Sequence, residues 1–530
     1  MSQLELGPAR FISRSIPVGL FLGVFLLTAV TSSDYGVAWD EPYYFHAADL
    51  HVNWLTDFAN NTVSGRISDS LKDEAIVAAW HWDPFHVPHP PFSRLVSGIF
   101  KALFFPVIDK FTAYRIGPAL FFSVLVTVMY VWMAALFDRL TGLFSALALV
   151  LTPNLFGFAH LAVTDMPLTA IWFVTLYCFW RGLGDWRWSV ILGVVWGLAL
   201  CTKFPALLIP LPLILWAHLC HRKSYQNNIF SMVFLSPPVM IASQPYLWHH
   251  PTVRILEFLF EGLTRGYRFN TNYLIFFFGE YYASREVPWY YAAFMTAVTV
   301  PETLLLFSML GLMAIFWFKP LCKVMFLFGF NILFILGLGL FPGAVLHDVN
   351  RLMLPVLPYL AALSGFGFYF FRGMVRKSAS GLARQAPAVF FALALVLPAI
   401  DLIAYHPYEL SYYNRLIGGL RGAYRRGMEI TYFMDAMNPQ FLSYLNDKLP
   451  PHAVINAYFS NTMLEFYQRE GRLRQDLRVT NGAEFEYYIF LNRQSIPAAD
   501  DPSFAKTLPV LEDAFRVNGV PLILIYKARN

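Results

Sequence analysis

The sequence predicts a mainly α fold: a polytopic bundle of about eleven transmembrane helices, followed by a small C-terminal α/β domain outside the cytoplasm. Three observations predict it. Of 530 residues, 57% are hydrophobic and only 14% charged, with a mean hydropathy of +0.49, whereas a soluble chain carries roughly 25% charged residues. Apolar runs of about the 20 residues that cross a bilayer recur from Ile16 to Tyr405. Beyond His406 the chain turns polar and short strand-like runs replace them. The expected division is therefore a membrane domain over residues 1–405 and a second domain over 406–530.

The first apolar run, Ile16 to about Ser32, lacks a small-residue cleavage site and reads as a retained helix. Ten further runs are expected to span, the first five from 114 to 137, 143 to 158, 166 to 180, 188 to 201 and 204 to 219. The rest run from 229 to 248, 289 to 318, 322 to 341, 352 to 371 and 387 to 405. Two long loops interrupt them: 34–113, whose apolar patch around 92–107 suits the membrane surface, and the aromatic-rich 249–288. In the tail, residues 453–458, 487–491 and 520–526 read as strands and 438–449 as a helix. The four cysteines show no CxxC spacing, so neither a disulfide nor a zinc framework is indicated.

Lysine and arginine in short loops favour the cytoplasm. Arg10, Arg14, Arg139, Arg181, Arg187, Arg222, Lys223, Lys319, Lys323, Arg372, Arg376, Lys377 and Arg384 fall in alternate loops and place the N-terminus inside. The net charge of +5 is then a topology signal and no argument for nucleic acid. Lys203 and Arg351 break the pattern on the outer side.

The ionisable groups that approach the membrane gather on that same side, where such groups mark function by default. The first loop contributes Trp39-Asp40-Glu41-Pro42-Tyr43-Tyr44, then His81, Asp83, His86 and His89. Later loops contribute His160, Asp165 in Thr164-Asp165-Met166-Pro167, Lys203, and His347, Asp348 and Arg351. Blander readings stand beside these. Asp165 suits a helix N-cap, Arg351 an interfacial anchor, and the histidine spacings fit no standard metal motif. Paired carboxylates beside isolated cations nevertheless suit group transfer from a lipid phosphate. A carboxylate takes the proton of an acceptor hydroxyl, while Arg forks onto the phosphate and Lys meets it as a point charge.

The pattern resembles the GT-C class of membrane glycosyltransferases. Its carriers are Asp40-Glu41-x-Tyr43-Tyr44, His89-Pro90-Pro91, Tyr114-Arg115-Ile116, Pro153, Thr164-Asp165-Met166-Pro167 and Lys203. Within the class it is most similar to the dolichyl-phosphate-mannose–protein mannosyltransferase-like, polyprenyl-phosphate-sugar-dependent group. Pro288-Trp289-Tyr290-Tyr291, His347-x-x-x-Arg351-x-x-x-Pro355 and the run His406 to Asn414 agree with bacterial and archaeal members. Pro88-His89-Pro90-Pro91 departs from the Lys-Pro-Pro of the aminoarabinose transferases, which argues against that branch.

The resemblance implies an inverting transfer from a polyprenyl-phosphate sugar to a hydroxyl of a protein, lipid or glycan, in a bacterial plasma membrane. Asp40 would be the catalytic base, Glu41 its support and Asp165 the second acid, with Asp165 also the candidate ligand for a divalent metal ion. Lys203 and Arg351 would hold the donor phosphate, Arg115 and His89 would shape the first loop or contact that phosphate, and Tyr43, Tyr44, His347 and Asp348 would contact substrate. The rival classes are a lipid-linked-sugar flippase, which predicts charges at mid-helix depth and repeated halves, and a non-catalytic assembly subunit.

Overall fold

The computed structural model describes residues 15–82, 89–221, 225–269, 273–316, 322–341, 344–378, 385–497, 500–507 and 509–529. Within them, four helices are long and apolar enough to cross a membrane individually: Ser15–Asp34, Lys110–Leu136, Arg351–Arg376 and Ala386–Tyr405. A fifth candidate is the pair Tyr291–Thr299 and Glu302–Ala314, bent by 119°. Shorter apolar helices, such as Arg139–Val150 and Trp186–Leu200, fill the space between them. The chain is an integral membrane protein.

The expectation of about eleven unbroken spans does not describe these helices, and proline is the main reason. The run 143–158 breaks before Pro153, which starts a separate helix, Pro153–Phe158. The run 229–248 becomes Gln226–Phe234, Ser236–Ser243 and a 3-10 turn Pro245–Trp248, with Pro237, Pro238 and Pro245 at the starts. Pro301 caps the second half of the bent pair. Proline lacks an N–H, so it is tolerated in a first turn and interrupts an interior. Apolar length alone counts straight through such breaks.

The segment 34–113, expected as a loop, is largely helical over its described residues. It contains Glu41–Val63, Asp73–Trp80 and the amphipathic Phe92–Phe104. The last of these turns Ser93, Arg94, Ser97 and Gly98 inward and leaves Ile99, Leu103 and Phe104 exposed. That inversion suits a helix lying against lipid. In the second segment, helix Pro251–Phe269 leads into a hairpin of strands β1 (Leu274–Phe277) and β2 (Glu280–Ala283), paired Leu274 to Ala283 and Phe277 to Glu280.

The tail forms a five-stranded sheet in the order β4-β3-β5-β7-β6. Its strands are β3 (Val454–Asn456), β4 (Arg478–Val479), β5 (Tyr487–Leu491), β6 (Val510–Val517) and β7 (Val520–Lys527). Helix Pro439–Lys448 starts where Asn438 accepts the amide of Phe441. The exposed strand β6, which carries Glu512 and Asp513, had no apolar alternation to announce it. One buried apolar core runs without interruption from Trp132 and Tyr359 among the helices to Phe441 and Ile489 in the tail.

The closest helix crossing is made by glycine. A methyl group on Gly311 would overlap the Leu363 carbonyl, and one on Gly367 would overlap the Phe307 carbonyl. Small residues let two backbones approach where apolar attraction between helices is weak. Gly367→Leu is therefore expected to destabilise the protein by at least the 1–3 kcal/mol, roughly, of overpacking. Gly373→Ala, with open space around its Cβ, leaves the melting temperature in detergent unchanged or slightly higher.

Candidate active site

Asp40 opens the helix Glu41–Val63, and its side chain makes no capping hydrogen bond. Its backbone is held instead, because Trp39 N donates to the Phe433 carbonyl at 3.0 Å. The free carboxylate accepts from Arg351 Nη2 at 2.5 Å. Asp165 is the first residue of helix Asp165–Gly182, with Thr164 in the capping position and no side-chain cap bond. The N-cap reading of Asp165 is thus corrected. One of its oxygens accepts from Lys203 Nζ at 2.8 Å and the other from Arg351 Nε at 3.2 Å.

Arg351 is the hub. Its third nitrogen, Nη1, donates to Asp348 at 3.1 Å, and its guanidinium lies 4.2 Å from the centre of the Phe433 ring. Asp348 also accepts from His347 Nδ1 at 2.9 Å and from Arg493 Nη2 at 3.4 Å. The sequence-predicted Asp40, Asp165, Lys203, Arg351, His347 and Asp348 therefore meet in one ion network. Burial pulls the Lys203 ammonium below its usual range and Arg351 adds to this, against the opposing pull of Asp165. At Asp348 burial acts upward, but His347, Arg493 and Arg351 together hold its carboxyl well below the usual carboxylate range. The loop is strained as well. Asp348 and Val349 have φ of 56° and 57°, a left-handed pair that costs a β-branched residue about 1–3 kcal/mol.

Glu41 and Arg115 do not join the network, which corrects the catalytic-support role expected of Glu41 and leaves Arg115, of its two expected roles, the shaping of the first loop. Both are almost completely buried, at 0% and 1% exposure, and they pair through two parallel hydrogen bonds of 2.9 and 2.7 Å. Glu41 also accepts the amides of Ala38 and Ala162, and Arg115 donates to the carbonyls of Ser32, Tyr35 and Gly36. Every donor of Arg115 is thereby engaged within the protein. Tyr44 is buried and lies 6.2 Å from the His89 ring, and His89 accepts from Arg94 through its carbonyl. Tyr43, one residue earlier on the same helix, is partly exposed.

The remaining histidines have structural partners. His160 is buried between the Phe156 carbonyl and Thr31, and burial lowers its pKa to about 3, so it stays neutral. His81 stacks on Tyr246, ring centres 4.0 Å apart. Asp83 and His86 lie outside the described residues. His406, at the head of the motif reaching Asn414, bridges Glu409 at 2.8 Å and Asp34 at 3.1 Å.

Both Asp165 oxygens face cations, so a divalent metal ion there would have to displace Lys203 and Arg351. Among the described residues no group of three His, Cys, Asp or Glu is disposed to hold a metal ion. Sequence reading missed Arg493 and Phe433, which come from the polar tail and the segment leading into it. Arginines are ordinary in such a tail, so composition offers no signal there.

Comparison with known proteins bears on the family and the fold. Residues 88–248 match the family described as dolichyl-phosphate-mannose-protein mannosyltransferase, and this segment contains Asp165 and Lys203. No curated protein matches the chain in sequence. The fold is similar to that of ArnT from Cupriavidus metallidurans in the apo state, at 14% identity and a TM-score of 0.53, covering 97% of this chain and 98% of that one. ArnT from the same organism bound to undecaprenyl phosphate matches over the same shares, at 14% identity and a TM-score of 0.51. The family match is thus confined to residues 88–248, while the likeness to ArnT extends over nearly the whole chain and is one of fold.

Two outcomes follow from the buried groups. Glu41→Gln leaves the Arg115 charge buried and half-paired, so the protein is expected to lose about 3–5 kcal/mol, read as a lower melting temperature. A catalytic role for Glu41 predicts slower turnover at unchanged stability instead. The Glu409 hydrogen bond, then Glu409 and Asp34 as charges, raise the His406 pKa against the effect of burial. That tie is complete below the ordinary His value of about 6.5 and is lost as pH rises through the higher folded value. Melting temperature should therefore fall across this window, and His406→Gln should flatten the profile.

Proposed function

We propose that the protein transfers a sugar from a polyprenyl-phosphate-linked donor to an acceptor hydroxyl, with inversion at the anomeric carbon. The observation that carries this reading is Arg351, which joins Asp40, Asp165 and Asp348 while Lys203 meets Asp165 from the other side. A phosphate entering the network takes the place of carboxylates on Lys203 and Arg351. Arg351 then forks onto its oxygens and Lys203 adds a point charge. Asp40, the most exposed of the network's carboxylates at 25%, is released beside the anomeric carbon.

In one displacement the acceptor O–H proton passes to Asp40 as its oxygen bonds to that carbon. The carbon–oxygen bond to phosphate breaks, and polyprenyl phosphate leaves with the electron pair. Lys203 and Arg351 stabilise the charge that grows on it. Backside attack in a single step inverts the centre. No step needs a metal.

Support for a polyprenyl carrier comes from ArnT, whose fold the chain shares and which has been solved with undecaprenyl phosphate bound. The face is argued from helix polarity. Helix Asp165–Gly182 has Asp165 at one end and Arg181 at the other, and Arg351–Arg376 has Arg351 at one end and Arg372 and Arg376 at the other. Basic residues mark the cytoplasmic ends, so the network opens on the extracytoplasmic side of the plasma membrane.

Asp40→Asn keeps the size of the side chain and removes its basicity. Transfer from a labelled polyprenyl-phosphate sugar is expected to fall by about 10²–10⁴-fold with the melting temperature preserved. Near-normal turnover in the folded variant removes Asp40 as the base.

A further inference from the structure

The strained loop from His347 to Arg351 is held from outside the membrane helices. Asp348 presents one oxygen to His347 and Arg351 and the other to Arg493, which follows strand β5 in the C-terminal sheet. Arg493 is itself fixed at three points. It donates to the Tyr432 carbonyl at 3.0 Å and to Ser495 Oγ at 3.0 Å, and its turn is anchored by a buried acid. That acid is Glu429, which accepts the amides of Gln494 at 2.6 Å and Ser495 at 3.1 Å.

Such an anchorage is more than a surface tie needs. Two successive non-glycine residues in the left-handed region persist only where their surroundings over-determine them. The carboxylate of the first of these residues holds Arg351 through Nη1, beside the contacts to Asp40 and Asp165. Neutral contacts cannot replace a charged partner there, because Asp348 is nearly buried and faces a second guanidinium.

We propose that Arg493 is a positioning residue through which the C-terminal sheet sets the active site: by holding Asp348, it fixes Arg351 in the orientation that takes the donor phosphate. The membrane helices alone then do not complete the site. This rests on the reading of Arg351 given under Proposed function.

The test uses the full-length protein in lipid nanodiscs, with undecaprenyl phosphate as the probe and melting temperature as the control for folding. Arg493→Gln is expected to raise the Kd for undecaprenyl phosphate about tenfold or more with little change in melting temperature. Arg493→Lys, which keeps a charge within reach of Asp348, should restore part of the loss. Asp348→Asn should raise the Kd at least as much. Adding Arg493→Gln to Asp348→Asn should change it by less than about twofold, since coupled residues are not additive.

A Kd for folded Arg493→Gln within about twofold of wild type overturns the proposal, as does full additivity in the double variant. If Arg493→Gln does not fold, the Asp348→Asn arm decides, and a wild-type Kd there is equally fatal. Failure of the wild-type protein itself to bind undecaprenyl phosphate overturns the donor-phosphate reading, and this proposal with it.

Discussion

The buried pair of Glu41 and Arg115 is the constraint on which the outer face of the bundle depends. A guanidinium and a carboxylate out of water are stable only when nearly all their hydrogen-bonding capacity is met. Here it is met by three chain segments at once. Arg115, on helix Lys110–Leu136, gathers the carbonyls of Ser32, Tyr35 and Gly36, while Glu41 collects the amides of Ala38 and Ala162. The exit of the first helix, the start of the second and the approach to Asp165 are thus tied to one point. Asp40 precedes that point by one residue, so its carboxylate inherits a rigid mount.

Beyond this mount lies a second, more exposed network with a different physical character. Glu41 and Arg115 are completely satisfied by one another and by the backbone groups around them. Asp40, Asp165 and Asp348 instead share the buried cations Lys203 and Arg351 and the partly accessible Arg493, and Asp40 itself is partly accessible. An incoming anion can compete for shared cations, whereas it cannot compete for a sealed pair. The difference separates a pair that holds shape from a network that can exchange partners.

Much of this was legible in the sequence. Lys203 and Arg351 announced themselves by breaking the charge rule, and Asp165 by its position at a helix start on the same side. Glu41 was misread because adjacent carboxylates look equivalent in a string. On a helix, consecutive side chains diverge by about 100°, so Asp40 turns to the network while Glu41 turns to the core. Arg493 was not legible at all, since its partner is 145 positions away and its neighbours are ordinary polar-tail residues. The span count failed for a local reason: prolines such as Pro153 and Pro301 start new helices inside runs that hydropathy treats as continuous.

Strand β6 closes the C-terminal sheet with one edge unpaired. Membrane proteins are confined to two dimensions, where neighbouring copies meet repeatedly in the same orientation. An open strand edge is there a standing invitation to lateral polymerisation. Along β6 the ladder is interrupted between Leu511 and Asp513 and again between Phe515 and Arg516, and Glu512 and Asp513 sit exposed at the first break. Irregular register and like charge together deny a second sheet its template. The strand that was hardest to read in the sequence is therefore the one that lets the molecule be crowded without joining its neighbours.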